Sequence, residues 1–194
     1  MTGTTGARTV LGVVGAGNMG SALVKGWARS PESKLDLVVW DEVEAPLQRL
    51  LGIGAVTVVR SLDELVEKAE VVLVVVKPKD AGGLLGALAG RLRQGQTVVS
   101  AMAGVTLASI RQILGPGPGL FRVMPNLGVE LGVGAVALAA EPGVPAEETL
   151  AALRLFEPLG LARVVPEEML DAVTAVSGSG PAFLALAIES LEDG

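Results

Sequence analysis

The chain has 194 residues, half of them apolar but only 3% aromatic, with a formal net charge of −6 and no cysteine, histidine or tyrosine. Disulfides, thiolate nucleophiles, zinc clusters and imidazole acid–base chemistry are thereby excluded, leaving hydroxyls, carboxyls, lysines and water as proton donors. Basic residues are scattered and outnumbered, so no one-sided basic face is offered to a phosphate backbone, and nucleic acid is not expected as a partner.

Taken in order, the chain opens on "MTGTTGARTV", which has one Arg but no apolar stretch or cleavage pattern, so no signal peptide is expected. Strand-length apolar runs follow at "TVLGVV" (9–14), "LDLVVW" (35–40), "AVTVV" (55–59), "VVLVVV" (71–76), "TVVSAM" (97–102), "LFRVM" (120–124), "GAVALAA" (134–140) and "ARVV" (162–165). Several are apolar at consecutive positions, as in strands covered on both faces. Helical periodicity fills the gaps at 18–30, 43–51, 61–69, 80–92, 106–114 and 146–157, with a Ser61-x-x-Glu64 capping box opening the third. This alternation predicts an α/β fold with a doubly wound, mostly parallel sheet. "GPGPG" (115–119) reads as a tight helix-to-strand loop.

Between the first strand and the first helix lies Gly15-x-Gly17-x-x-Gly20, and the second strand ends in an acid, Asp41, 21 residues after Gly20. Such spacing suits a dinucleotide pyrophosphate: Gly15 for the tight turn, Gly17 for close backbone approach, Gly20 for helix packing, and the helix N-terminus for the charge. Asp41 would accept hydrogen bonds from the adenosine ribose, or simply cap the helix that follows. With Asp41, Glu42 and Glu44 crowded there and no Arg before Arg49, a 2′-phosphate would meet repulsion, which favours NADH over NADPH.

Three later strands end at positions suited to ligand contact. "VVLVVVKPKD" breaks at Lys77-Pro78, "VVSAMAGVTL" ends in the small residues Ala101, Ala103 and Gly104, and "RVMPN" ends at Pro125 and Asn126. Taken singly, each also fits an ordinary strand-to-loop exit. Lys77 reads as a solvated or phosphate-facing cation before it reads as a general acid.

After Pro166 the strand signal stops. Residues 166–194 read as the beginning of a helical domain that follows a dinucleotide-binding domain of residues 1–165, with two helices flanking a Ser-Gly-Ser-Gly-Pro break. Ser179 or Gly180 would be the N-cap and Pro181 the first helical position. The charge-free run Ala172 to Ile188 has 17 residues and, so interrupted, is expected to fall short of a membrane span. The apolar "AFLALAI" cannot close a core of its own, so these helices are expected to pack on another subunit or to belong to a longer chain. A soluble cytoplasmic protein is expected.

Together "GAGNMG", "VKP", "VVSAMAGVTL", "RVMPN" and "SGSGPAF" resemble, in order and spacing and over essentially the whole chain, the Δ1-pyrroline-5-carboxylate reductase family. The resemblance implies a Rossmann-type domain and reduction of a cyclic imine to L-proline by NAD(P)H, the last step of proline biosynthesis. It implies that Gly15, Gly17, Asn18, Met19 and Gly20 hold the pyrophosphate, that Asp41 lies by the ribose, and that Val76, Lys77 and Pro78 line the dinucleotide. Ala101, Ala103, Gly104, Met124, Pro125 and Asn126 would flank the nicotinamide. Ser177, Gly178, Ser179 and Gly180 would close the site on the substrate side. No catalytic acid, metal or covalent nucleophile is implied, because a protonated imine is already electrophilic and orientation supplies most of the rate.

Members of this family run on through further helices that interlock two subunits, with a "PGGTT"-like stretch that holds the substrate. No such stretch is in this sequence, so the substrate pocket and the homodimer are expected to be incomplete in it. Two other readings stand beside the main one. A β-hydroxyacid or F420-linked reductase of the 6-phosphogluconate-dehydrogenase-like kind would carry its own Lys or Asn motif where this chain has "SGSGPAF". A module that binds NAD(H) without turnover would need only the first domain.

Overall fold

The computed structural model describes residues 8–194; residues 1–7, which carry most of the segment read against a signal peptide, lie outside them. Eight strands form one sheet in the order β3-β2-β1-β4-β5-β6-β7-β8. They are β1 (Thr9–Val14), β2 (Leu35–Trp40), β3 (Val56–Val58), β4 (Val71–Val74), β5 (Thr97–Ser100), β6 (Gly119–Pro125), β7 (Gly134–Ala140) and β8 (Gly160–Val164). The first six are parallel, β7 runs antiparallel to β6, and β8 parallel to β7. The expected doubly wound arrangement is therefore present, closed by a reversed pair.

Six helices cover the two faces: α1 (Asn18–Arg29), α2 (Glu44–Gln48), α3 (Leu62–Lys68), α4 (Ala81–Leu88), α5 (Leu107–Leu114) and α6 (Ala146–Arg154). Because strand side chains alternate, one strand feeds two cores. Leu11, Val13, Leu73 and Val99 pack with α1 and α6, while Val14, Val72, Val74 and Val98 pack with α3, α4 and α5. Trp27 anchors the first core, its ring 5.6 Å from that of Phe156 and its indole N–H donating to the Leu155 carbonyl at 2.6 Å. Burying an indole without that acceptor would be costly.

Helix starts follow local chemistry. Ser61 accepts the Glu64 N–H at 3.1 Å, and the Glu64 carboxylate accepts the Arg60 N–H at 3.2 Å, so the expected capping box forms with its return bond one residue early. Thr106 caps α5 by accepting the Ser109 N–H at 3.2 Å. The "GPGPG" loop is held by Arg111, which donates to the Gly115 and Pro118 carbonyls and pairs with Glu141. The hydrogen bond and charge of Glu141 raise the Arg111 pKa against its partial burial, so the guanidinium stays charged.

The C-terminal segment differs from expectation. One continuous helix runs from Glu167–Glu192, with no break at Ser-Gly-Ser-Gly-Pro. It comprises a 3-10 turn (Glu167–Met169), an α segment (Leu170–Val173), a π turn (Thr174–Gly178) and a second α segment (Gly180–Glu192). By length and composition this helix is apolar and long enough to cross a membrane, contrary to the reading that a break would leave it short. Leu170 is fully buried against Met124, Ala137 and Ala139, whereas every residue from Pro181 on is exposed.

Candidate active site

Strand register aligns the carboxyl ends of the parallel strands: Val14 is paired with Trp40 and Val74, and Val74 with Ser100. β6 alone runs on, since Arg122 is level with Ser100 and three further residues carry it to Pro125. Ligands of open α/β sheets bind at this edge.

The three loop glycines have separate reasons to lack a side chain. Gly15 has φ +105° and a Cβ there would lie 2.3 Å from the Val75 carbonyl oxygen. A Cβ on Gly20 would lie 1.9 Å from the Gly15 carbonyl oxygen, so α1 could not fold back onto its own loop. Gly17, exposed and with open space where its Cβ would stand, is the place where a ligand can reach the backbone. No side chain caps α1, no acid sits in its first turn, and its first internal bond runs from the Ser21 N–H to the Gly17 carbonyl. The exposed amides of Gly17 and Asn18 with half-buried Met19 thus form an anion-receptive helix start, and a dinucleotide pyrophosphate fits it.

Asp41 ties this loop down. Its Oδ2 accepts the Ala16 N–H at 2.6 Å and its Oδ1 the Val43 N–H at 2.8 Å. The carboxylate thus turns the chain toward α2 without capping it, since Val43 holds the N-cap position of that helix and no side chain caps it. Ser21, which the motif alone did not single out, is buried and donates its hydroxyl to the Ala16 carbonyl at 2.6 Å. Glu42 and Glu44 are exposed beside Asp41.

Farther along the edge, pairing of β4 stops at Val74, and the Val75 N–H donates to the Val14 carbonyl at 2.8 Å. Val76 is half-buried, while Lys77 and Pro78 are exposed and start a 3-10 turn (Pro78–Asp80) that leads into α4. After β5, Ala101 is half-buried and Ala103 and Gly104 are exposed, with Gly104 at φ +72° turning the chain toward α5. These residues share one edge with the glycine loop. Met124 does not line it: this side chain is core, packed with Ala137, Ala139 and Leu170. Pro125 is buried next to it.

Asn126 joins the edge to the C-terminal helix. Its Oδ1 accepts the Ala135 N–H at 3.1 Å, and its Nδ2 donates to both the carbonyl and the hydroxyl oxygen of Ser177, each at 3.2 Å. The reason lies four residues on. Pro181 has no N–H to offer the Ser177 carbonyl, which an unbroken α-helix would require, and Asn126 supplies the missing donor. The wide turn at Thr174–Gly178 absorbs the proline ring, so the helix continues. Ser179 stands at the N-cap position of the second α segment, as one of the two expected candidates, but in helical backbone and with no side-chain cap bond: its hydroxyl donates back to the Thr174 carbonyl at 3.3 Å. Exposed Gly178 and half-buried Gly180 flank it on the same turn.

A charged residue lies beneath this junction. Arg122, 4% exposed, donates through Nη1 to Glu167 at 2.8 Å, and the same Glu167 oxygen accepts the Leu107 N–H at 2.7 Å. An Arg inside the apolar run "LFRVM" was the available signal, since a buried charge demands a partner. Two surface grooves, of about 250 and 270 Å³, lie elsewhere, one by Asp63, Glu67, Arg91 and Arg93, the other by Lys25, Arg29 and Ile53. They are open and shallow, and neither touches the glycine loop.

Comparison with known proteins agrees with this geometry. Residues 10–104 match the family described as NADP oxidoreductase coenzyme F420-dependent, and residues 167–194 that described as pyrroline-5-carboxylate reductase dimerisation. The pyrroline-5-carboxylate reductase of Methanosarcina acetivorans is 35% identical over 188 residues, covering 95% of this chain and 68% of the relative. That of Mycobacterium leprae is 35% identical over 94% of this chain and 64% of its own. The crystal structure of Plasmodium falciparum pyrroline carboxylate reductase with NADP bound superposes with a TM-score of 0.86 at 27% identity, covering 97% of this chain and 70% of that one. The chain thus spans about two thirds of the length of these relatives.

Proposed function

The chain belongs to the pyrroline-5-carboxylate reductase family, and from that premise we propose that it reduces L-Δ1-pyrroline-5-carboxylate to L-proline with NAD(P)H, the last step of proline biosynthesis. The observation that carries the reading is the Asn126–Ser177 junction, where a helix in the region matched to the family's dimerisation domain meets the cofactor edge of the sheet.

In this reading residues 1–165 hold the dinucleotide and residues 166–194 begin the substrate-side helical domain. The amides from Gly17 to Gly20 bind the pyrophosphate, while Gly15 and Asp41 keep that loop in shape. Asp41 receives the ribose hydroxyls on its remaining lone pairs, and Val76, Lys77 and Pro78 bound the dinucleotide. Ala101, Ala103 and Gly104 leave room for a planar ring, with Asn126 and Ser177 to Gly180 on the opposite side. When bound, the reduced nicotinamide supplies a hydride to the imine carbon. Addition to a protonated imine leaves a neutral amine, which takes its next proton from water, so the chain's own groups need only orient the reactants and exclude competing water. This matches a site without histidine, cysteine or tyrosine.

NADH is the preferred cofactor in this reading, because Glu42 and Glu44 stand exposed beside Asp41 where a 2′-phosphate would go. The protein works in the cytoplasm as a homodimer, formed by a second copy covering the apolar side of the C-terminal helix. Phe183, Leu184 and Leu191 are 69%, 63% and 80% exposed on it. A second reading is NADH binding without turnover, which the glycine loop and Asp41 would support by themselves. Following loss of the reduced-nicotinamide absorbance with Δ1-pyrroline-5-carboxylate, beside a fluorescence titration of NADH against Trp27 and Trp40, separates them. Turnover supports the reductase, binding alone supports the second reading, and absence of binding overturns both.

A further inference from the structure

Arg122 and Met124 of β6, with Asn126 just past its end in extended backbone, hold three successive points of the C-terminal helix. Arg122 meets Glu167, Met124 meets Leu170, and Asn126 meets Ser177. Residues at i, i+2 and i+4 of a strand share one face, so the helix lies along that face as it climbs to the site. The middle contact is apolar and non-directional. The upper contact is a pair of neutral hydrogen bonds at 3.2 Å. Only the lowest is ionic, and it is more than a salt bridge, because one Glu167 oxygen joins β6, the first residue of α5 and the start of the helix.

Stability is a poor account of Arg122. Its side chain is 4% exposed, and its Nη2 has no hydrogen-bond partner among the described residues. A buried, half-satisfied guanidinium contributes little net stability compared with an apolar side chain of similar volume. It does supply direction, because a planar donor meets a carboxylate oxygen in a narrow range of geometries, whereas Leu170 could slide. Slippage would matter at the site: a one-residue shift turns a helix by about 100° and moves it about 1.5 Å, enough to carry Ser177 away from Asn126.

We propose that Arg122 is a positioning residue of the reductase site, fixing through Glu167 the register of the C-terminal helix and thereby the seat of Ser177 against Asn126. The inference rests on the reading of Ser177 to Gly180 as the substrate side of that site. Its structural part stands independently of turnover.

The test uses the full 194-residue chain with Arg122→Met, Arg122→Lys, Glu167→Ala and Glu167→Gln, read by amide hydrogen exchange and NADH titration. Arg122→Met and Glu167→Ala should speed exchange across residues 170–180 by about tenfold or more, the change expected for losing one charge-assisted hydrogen bond. Exchange across residues 9–29 and NADH affinity should stay within about twofold in the same variants. Glu167→Gln keeps an acceptor and Arg122→Lys keeps a cation, so both should recover most of the protection. Where the unmodified chain turns over the imine, Arg122→Met should raise KM for the imine more than it lowers kcat.

Unchanged exchange at 170–180 in both loosening variants would overturn the proposal. So would a rise shared equally by residues 9–29, which marks general destabilisation. If Arg122→Met does not fold, Glu167→Ala, changed at a partly exposed position, decides alone. Failure of the unmodified chain to bind NADH would instead overturn the functional reading and leave the exchange result standing.

Discussion

Asp41 accepts the backbone N–H of Ala16 at 2.6 Å, across 25 residues of chain, while its other oxygen accepts the N–H of Val43 at 2.8 Å. The acid that the glycine motif assigns to the ribose is thus already part of the loop that receives the pyrophosphate. An amide cannot replace it, because one of the two positions would present an NH2 group to a backbone N–H. Asp41→Asn should therefore behave like Asp41→Ala, each losing about 2 kcal/mol of stability by denaturant titration as well as NADH affinity. A stable Asp41→Asn variant with weakened NADH binding would assign the residue to the ligand alone.

Gly17 and Gly20 separate binding from folding. Gly17→Ala places a methyl in open space, so unfolding free energy should change by less than about 1 kcal/mol while NADH affinity falls roughly tenfold or more. Gly20→Ala drives a methyl into the Gly15 carbonyl and should cost about 3 kcal/mol or more before any ligand is added. Thermal melts with and without NADH check both.

Pro181→Ala restores an N–H that can reach the Ser177 carbonyl. The helix should gain up to about 3 kcal/mol from loss of a proline inside the continuous helix, and the Asn126 amide should lose its exclusive hold on the Ser177 carbonyl while keeping the Ser177 hydroxyl. In a double-mutant cycle, Asn126→Ala should cost less stability in the Pro181→Ala background than beside Pro181, because the backbone then supplies the Ser177 carbonyl with a donor of its own.

Glu42→Arg exchanges repulsion for attraction at the expected 2′-phosphate position, and Glu42 is exposed enough to change without disturbing the core. The affinity for NADPH relative to NADH should rise roughly tenfold in parallel fluorescence titrations. No change in the ratio would remove Glu42 from cofactor choice.

Phe183→Asp or Leu191→Asp should weaken self-association in sedimentation experiments by about tenfold or more, on the order of the loss of one well-buried contact. Both side chains are exposed in the single chain, so its thermal stability at high dilution should hardly change.

Much of this arrangement is legible in the sequence. Consecutive apolar residues at Val71–Val74 mark a strand covered on both faces, Ser61 and Glu64 mark a helix start, and the glycine spacing with Asp41 marks the loop. The Ser-Gly-Ser-Gly-Pro stretch misleads because proline and glycine are local signals, whereas the donor that keeps the helix intact comes from Asn126, 51 residues away. Met124 misleads for a related reason: its place in "RVMPN" puts it near the edge, but Leu170 of the C-terminal helix covers its side chain, a contact set by tertiary structure. Arg122 carries a signal of its own, a charge in an apolar run, yet the identity of its partner depends on tertiary structure alone.

The reversed direction of β7 and β8 settles where the chain travels next. Had β8 run with the first six strands, it would have delivered the chain at the carboxyl edge, and a helix packed on the sheet could only have led away from that edge. Instead β8 starts opposite Gly134 and finishes level with Leu138 and Val123, so that the chain leaves the sheet beside the middle of β7 and β6, short of where β6 ends. The helix then has distance to climb, and the stretch from Glu167 to Ser177 carries it from Arg122 to Asn126. Two strands laid against the grain thus convert a departing chain into an arriving one.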